Sequence, residues 1–528
     1  MVALWQRCGE GGRLTGMTKT PSVRYLNGRF YSAAEPRATA MVTGGGTIAW
    51  LGDGADAPAA DVTVDLGGAL VTPAFVDAHV HATDTGLAFD GLDLSAVRSP
   101  GELLDRVAAF AATRPADGVV HGHGWDESTW QDQTPPSAGE LDRAAGGRRV
   151  YLSQASVHSA LASSALLPAA RGVHGYDESG WVREAAHHAV REIALGSLSP
   201  ADRESAQRTA LSRAASLGIA AVHECGGPGT SSEEDFTSVL SLSGRGLPRV
   251  FGYWGELGGV DRARDLGAHG AAGDLYADGA LGSRTASVRS PYLDGDHGCG
   301  EAFVTAEQAA DHLLDCVRAG FQGGFHAIGD AAIATVLEGF ALAAKQVGVD
   351  RLREGRHRIE HVELIDKAMI ARMVEFGVIA SVQPVFDALW GGTDRMYAQR
   401  LGVERALASN PIGAMHATGV ALAFGSDSPV TALDPWAMVV AAAAPHNPRF
   451  RLSVRSAFAA SSAGGWRAAG VDDAGILKPG AAATFAVWET PAGVSGGLPV
   501  LLPEADDVVP ERPVCVRTVL DGEAIFQR

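Results

Sequence analysis

The sequence predicts an α/β chain built from repeated parallel strand–helix units, with short β strands at both ends. Three observations carry this. Between about residues 70 and 430, apolar strand-like runs alternate with helical stretches. Both ends read instead as short strands broken by turns. Several of the apolar runs finish in a histidine or an aspartate. About eight such strands suit a closed barrel better than an open sheet, and spacing alone leaves both open.

Residues 22–70 form the first β-rich end. In "VRYLNGRFYS" the pair Asn27-Gly28 signals a hairpin, and "ATAMVTGGGTIAWLGDG" repeats the pattern. The C-terminal end resembles it: "ATFAVWE", then "VCVRTVLDGEAIFQR" with a turn at Asp521-Gly522. The simplest packing joins the two ends in one small sheet unit. In the middle, the expected strands are "LVTPAFVDAHVH", then "VVHGHGWD" or "RVYLSQA", then "IAAVHEC", "GDLYADGA", "GGFHAIGD", "HRIEHVEL", "VIASVQP" and "VALAFGSD". "AAIATVLEGFALAAKQ" is a helix with Asp330 as its expected N-cap.

Composition bounds the function. The chain has 528 residues, a hydrophobic content of 46% and a formal net charge of −18, which describes a soluble globular protein. That charge disfavours nucleic acid and anionic membrane surfaces as partners and leaves a small-molecule substrate. Cys8, Cys225, Cys299, Cys316 and Cys515 are scattered, so neither a disulfide framework nor a cysteine zinc site is expected, and reduced thiols point to a cytoplasmic location. No apolar signal segment or membrane span is read. Residues 1–16 are expected to be a disordered extension, with Met17 as the natural start. A homodimer is the default assembly.

The residues at the strand ends carry the chemistry. The first strand ends in His79-Val80-His81, and residues two apart on a strand share a face, so both imidazoles can approach one cation. Later strands end in His326, His361 and Asp427. A lone histidine at a strand end is more often a structural hydrogen-bonding residue. Five candidate ligands, each behind an apolar strand, are hard to obtain by chance. If the strands close into a barrel, their C-terminal ends open onto one mouth. Imidazole and carboxylate ligands suit Zn²⁺ or another divalent first-row ion.

On "TPAFVDAHVH", "GHGWDESTW", "DGALGSRTASVRSPY", "HAIGD", "RIEH", "SVQP" and "FGSDSPV", in that order, the sequence resembles the amidohydrolase superfamily, in the branch that includes N-substituted formamide deformylases. "LKPGAAATFAVWE" is similar to that family's return to its outer β unit, with Ala-Thr-Phe where Ala-Asp-Leu is usual. The resemblance implies a (β/α)8 TIM barrel over residues 72–474 and a β-sandwich from 17–71 plus 475–528. It also implies His79, His81, His326, His361 and Asp427 at a metal centre.

One departure stands out. Many members bridge two metals with a carboxylated lysine on the fourth strand, where this chain has Asp274 in "GDLYADG". The four lysines are Lys19, Lys345, Lys367 and Lys478, and none lies between the first histidine pair and His326. Either a carboxylate, Asp274 before Glu224, replaces the bridge, or the site holds one ion and His361 polarises water or substrate. The metal count is thus one or two.

The reaction this implies is hydrolysis of a non-peptide carbon–nitrogen bond, in an amide or formamide of a small molecule. Water activated at the metal attacks, and Asp427 carries its proton to the leaving nitrogen. Arg284 is a candidate clamp for a substrate carboxylate, against the plainer reading of a loop salt bridge. Trp125, Asp126 and His158 are candidate pocket residues, with core packing the plainer reading for the tryptophan. His121 and His123 repeat the His-x-His spacing on a less apolar strand and are not expected to be ligands. The alternatives are a mononuclear deaminase of a heterocycle, distinguished by ammonia release, and a non-catalytic binding protein on the same scaffold, distinguished by the absence of bound metal.

Overall fold

The computed structural model describes residues 21–114, 119–155, 157, 159–196, 198–295, 298–503 and 509–528. The expected N-terminal extension, Met17 and His158 lie outside them. Eight parallel strands make a barrel: β1 Phe75–Val80, β2 Ile219–Gly226, β3 Arg249–Trp254, β4 Gly270–Ala271, β5 Gln322–Ala327, β6 Arg358–His361, β7 Ile379–Val382 and β8 Ala421–Phe424. Each pairs with the next in chain order. The seam between β8 and β1 is closed just beyond β8, where Asp427 N–H donates to the His79 carbonyl at 2.8 Å and His81 N–H to the Ser428 carbonyl at 3.0 Å. The two ends of the barrel sheet therefore meet at the candidate ligands. A Cβ on Gly425 would lie 2.5 Å from the His79 backbone nitrogen, so only glycine permits this approach.

Helices cover the barrel for local reasons. α1, Ala306–Ala319, starts at a capping box of Thr305 and Gln308 and stops at Gly320, whose φ of 67° ends the helix. α2, Asp330–Val347, buries Ile333, Val336, Leu337 and Phe340 in one core with Phe325 of β5. Each such side chain contributes about 1.5–3 kcal/mol through burial. Asp330 is the first helical residue rather than the cap, which is Gly329; its Oδ1 accepts from Arg289 N–H at 2.9 Å. Among the described residues, no helix is long and apolar enough to cross a membrane.

The strands expected in "VVHGHGWD" or "RVYLSQA" are not in the barrel. Val119–Trp125 and Arg149–Gln154 belong to a separate five-stranded sheet, inserted between β1 and β2. "RVFGYW", β3, takes the barrel place instead. Alternating apolar residues satisfy any half-buried sheet, so the pattern does not say which sheet a strand joins. "GDLYADGA" is also displaced: β4 ends at Ala271, and Asp274 follows it.

Both termini build two facing sheets. One contains Val23–Leu26, Ala40–Gly44, Thr47–Gly52 and Val62–Asp65; the other contains Arg29–Phe30, Leu70–Pro73, Phe485–Glu489, Val514–Leu520 and Glu523–Gln527. Tyr25, Met41 and Ile48 share a core with Val71, Phe485 and Val519. Asp521 and Gly522, at φ 50° and 84°, turn a hairpin as expected. Asn27 has φ 57° but makes no hairpin: the strands on either side of Asn27-Gly28 enter different sheets, so this turn hands the chain across the sandwich.

Candidate metal centre

At the C-terminal mouth of the barrel, β1 delivers His79 and His81, and the segment after β4 delivers Asp274. His79 Nε2 lies 3.4 Å from Asp274 Oδ1 and 3.5 Å from Asp427 Oδ1. His81 Nε2 lies 3.3 Å from Asp274 Oδ2 and 3.1 Å from Asp427 Oδ1. The His361 ring centroid is 5.1 Å from that of His79 and 4.5 Å from that of His326. Among the described residues, three trios that include His79 have ligand atoms close enough for one ion: two draw on the candidate ligands, His79, His81 and Asp427 and His79, Asp274 and His361, and the third is His79, Cys225 and Glu360. His361 and Asp427 both have positive φ, 70° and 54°. Non-glycine residues in that region are uncommon and concentrate at functional sites.

The donor set fits a cation. His79 Nε2 and Asp274 Oδ1 are buried and have no aligned hydrogen-bond partner. Buried polar atoms are normally satisfied, so lone pairs left converging on one point describe a place for a positive charge. Supporting residues aim these atoms. His79 Nδ1 donates to Glu360 Oε2 at 2.9 Å, which leaves Nε2 as the basic nitrogen. Glu360 is held in turn by Arg358, whose Nη2 donates to Oε2 at 2.9 Å. Burial would raise the Glu360 carboxyl, but the Arg358 guanidinium and His79 hold it well below the usual carboxylate range. Arg358 is itself fully buried, with Nη1 donating to His223 Nδ1 at 2.9 Å and its guanidinium 4.4 Å from the Tyr253 ring centroid.

His361 Nδ1 donates to Gln383 Oε1 at 2.8 Å. Burial and neighbouring His326 push His361 down to about 3, so its ring is neutral and Nε2 keeps a lone pair. Tyr276 O–H donates to Asp274 Oδ2 at 3.3 Å. Asp77, buried beneath the histidines, accepts from Ser426 N–H at 2.9 Å, which ties β1 to the turn that carries Asp427. Glu224, the other carboxylate considered for a bridge, instead accepts from Ala82 N–H at 2.8 Å, and burial raises it to about 8.

A cavity of about 60 Å³ opens beside the centre, with His326, His361 and Asp427 among its lining. Asp126 lines it from the inserted sheet, beside Ser128 and Gln154. Trp125 does not: it is fully buried in the core of the insert, and its indole N–H donates to the Leu152 carbonyl at 2.8 Å. The period-two alternation of its strand turns it away from the mouth. Arg284 is not a free clamp either. Its guanidinium makes a two-pronged pair with Asp294, at 3.0 and 2.8 Å. His121 and His123 lie on the inserted sheet, and His123 Nε2 contacts the Ala88 carbonyl at 3.0 Å.

Sequence reasoning passed over Glu360, Gln383 and Tyr276. Glu360 was visible inside "RIEH" and Gln383 inside "SVQP", each adjoining a residue or strand already singled out. Nothing local says that Glu360 reaches a histidine 281 positions away.

A closed parallel barrel with histidines and carboxylates gathered at its C-terminal mouth has the place and the donor groups of a barrel enzyme's active site. A family model described as "Amidohydrolase family" matches residues 62–526, and the chain belongs to that family. It is an amidohydrolase, a hydrolytic enzyme acting on carbon–nitrogen bonds. It is similar to Protein LONG AFTER FAR-RED 3 of Arabidopsis thaliana, 27% identical over 84% of this chain and 80% of the relative. It is also similar to an N-substituted formamide deformylase of Arthrobacter pascens, 24% identical over 79% of this chain and 83% of that protein. Among solved structures, an uncharacterized metal-dependent hydrolase from Pyrococcus furiosus aligns with a TM-score of 0.70 and 26% identity. It covers 88% of this chain, which spans 98% of that one.

Proposed function

We propose that this protein is a metal-dependent hydrolase of small-molecule amides or formamides. The observation that carries the reading is that Asp274 Oδ1 and Asp427 Oδ1 both lie within 3.5 Å of His79 Nε2, with His79 Nε2 and Asp274 Oδ1 buried and lacking aligned partners. His79, His81, Asp274, His361 and Asp427 would hold the ion, with His326 beside them. Zn²⁺ suits this nitrogen and oxygen set best, and other divalent first-row ions are alternatives. When bound, the ion supplies water that is nucleophilic near neutral pH. One imidazole nitrogen binds a single ion, so two trios sharing His79 favour one ion over two. Asp274 then occupies the place of the bridging lysine as an anionic ligand, held by Tyr276.

The protein groups carry the rest. Asp427 takes the proton of the attacking water on its carboxylate and delivers it to the leaving nitrogen, so that an amine departs as the carboxylate product forms. Glu360 and Gln383 fix the tautomers of His79 and His361. The cavity holds the acyl or amine substituent against the centre.

The test is amine release. Purified protein loaded with Zn²⁺ should liberate amine from members of a panel of N-formyl and N-acetyl amines, and chelation should abolish this. Stoichiometric metal with no amine released from any member would overturn the reading. The sharing of His79 also favours a second reading, deamination of a heterocycle at a one-ion centre. Free ammonia from aminated heterocycles, without cleavage of the amides, would select it.

A further inference from the structure

The cavity wall beside the metal centre carries a carboxyl group that the proposed hydrolytic steps do not use. Glu363 follows β6 by two residues and is 2% exposed. Its Oε2 accepts from the Tyr397 hydroxyl and from Asn410 Nδ2, the latter at 3.4 Å. Among the described residues, no donor reaches its Oε1 and no arginine or lysine pairs with it; His326 is the one basic side chain that acts on it. Buried carboxylates are ordinarily matched by a cation or a full set of donors, because leaving water uncompensated is costly.

The nearest guanidinium on the same wall is already engaged. Arg400 Nη1 pairs with Asp294, and its Nε and Nη2 point to the Gly282 carbonyl at 3.4 and 3.3 Å. Around Glu363 the cavity is aromatic instead. Phe386 and Trp390 have ring centroids 5.0 Å apart, Trp390 and Tyr397 6.4 Å apart, and all three line the same cavity. Aromatic faces attract cations, most strongly when the cation is shielded from water.

We infer that Glu363, with Phe386, Trp390 and Tyr397, forms a subsite for a protonated amine on the substrate, in the cavity beside the metal centre. An ammonium group there would donate to Glu363 Oε1 and rest against the rings, supplying the positive charge that the protein lacks at this point. The substrate class is thus an N-acyl or N-formyl compound carrying a second, free amine. The inference rests on the amide-hydrolase reading only for the bond broken; the subsite itself is a matter of binding.

The experiment separates the two. Binding of benzylammonium and of its neutral isostere benzyl alcohol to the Zn²⁺-loaded protein is measured by calorimetry, with benzoate as the anionic control. Benzylammonium should bind at least tenfold more tightly than either. Glu363→Gln should remove that preference and leave benzyl alcohol binding within about twofold. Trp390→Leu, at a half-buried position that tolerates change, should weaken benzylammonium severalfold more than benzyl alcohol. Equal binding of the two isosteres by the unmodified protein, tighter binding of benzoate, or an ammonium preference that survives both substitutions would overturn the subsite. Preferred ammonium binding without release of amine from any amide would leave the subsite standing and remove only the amide-hydrolase reading.

Discussion

His79 and Glu360 are joined by a 2.9 Å hydrogen bond between fully buried side chains on β1 and β6. Glu360 belongs to the strand that also ends in His361, so one short segment supplies a candidate ligand and the residue that orients another. Glu360→Gln keeps an oxygen that can accept from His79 but takes the counter-charge from buried Arg358, so some stability is lost as well and folding is checked by circular dichroism. The variant should lower metal affinity by roughly 10- to 100-fold, the usual effect of weakening such a support. Competition against a chelator of known affinity measures this. Unchanged affinity would remove Glu360 from the centre.

Asp427→Asn separates holding the ion from moving the proton. An amide can still offer an oxygen but cannot accept the water's proton. The variant should keep its fold and much of its metal while kcat falls by about 10²- to 10⁴-fold. Metal content together with turnover decides it. Turnover near that of the unmodified protein would deny Asp427 the proton-carrying role.

Asp274 lies against both His79 and His81, whereas Tyr276 hydrogen-bonds Asp274 and packs on the His326 ring at 4.8 Å. Asp274→Asn should therefore reduce metal affinity more than Tyr276→Phe, with the tyrosine change costing about 1 kcal/mol, as for one neutral hydrogen bond. Titration of each apoprotein with Zn²⁺ gives the order. The reverse order would mean that Asp274 does not stand in for the missing lysine.

His357 makes a prediction far from the chemistry. It is buried at the start of β6, and its Nδ1 accepts from Gly323 N–H at 2.9 Å. Burial and nearby His312 push it down to about 4. The unfolded chain binds this proton near pH 6.5 and the folded chain only near 4. Its contribution is therefore whole above pH 6.5 and is lost as pH falls through 4, at about 1 kcal/mol per pH unit between. In urea unfolding between pH 6.5 and 4, His357→Gln should flatten the decline by that amount. A parallel decline in both proteins would show that His357 titrates normally.

The candidate ligands could be singled out because each lies at or just beyond the end of an apolar strand, and strand ends in a barrel share one mouth. Their supports were not, because Glu360 and Gln383 act across strands and a linear pattern carries no such address. Trp125 and Arg284 show the converse limit. Both look functional in sequence, yet the first is packed in the insert and the second is occupied by Asp294. The insert was hidden for a related reason: "RVYLSQA" and "RVFGYW" have the same strand character, and only long-range pairing sends one to the insert and the other to the barrel.

The sandwich has a consequence for synthesis. Leu70–Pro73 pairs with Phe485–Glu489, and the indole N–H of Trp488 donates to Thr72 Oγ1 at 2.9 Å across 416 positions. The segment that leads into β1 thus waits, exposed along one edge, until a strand 416 positions further on has left the ribosome. Late closure of this kind favours chaperone capture and off-pathway association in the meantime. A chain stopped before Phe485 should accordingly be cut by protease within residues 22–73, where the full chain resists. Phe485–Glu489 is in this sense the latch on Leu70–Pro73.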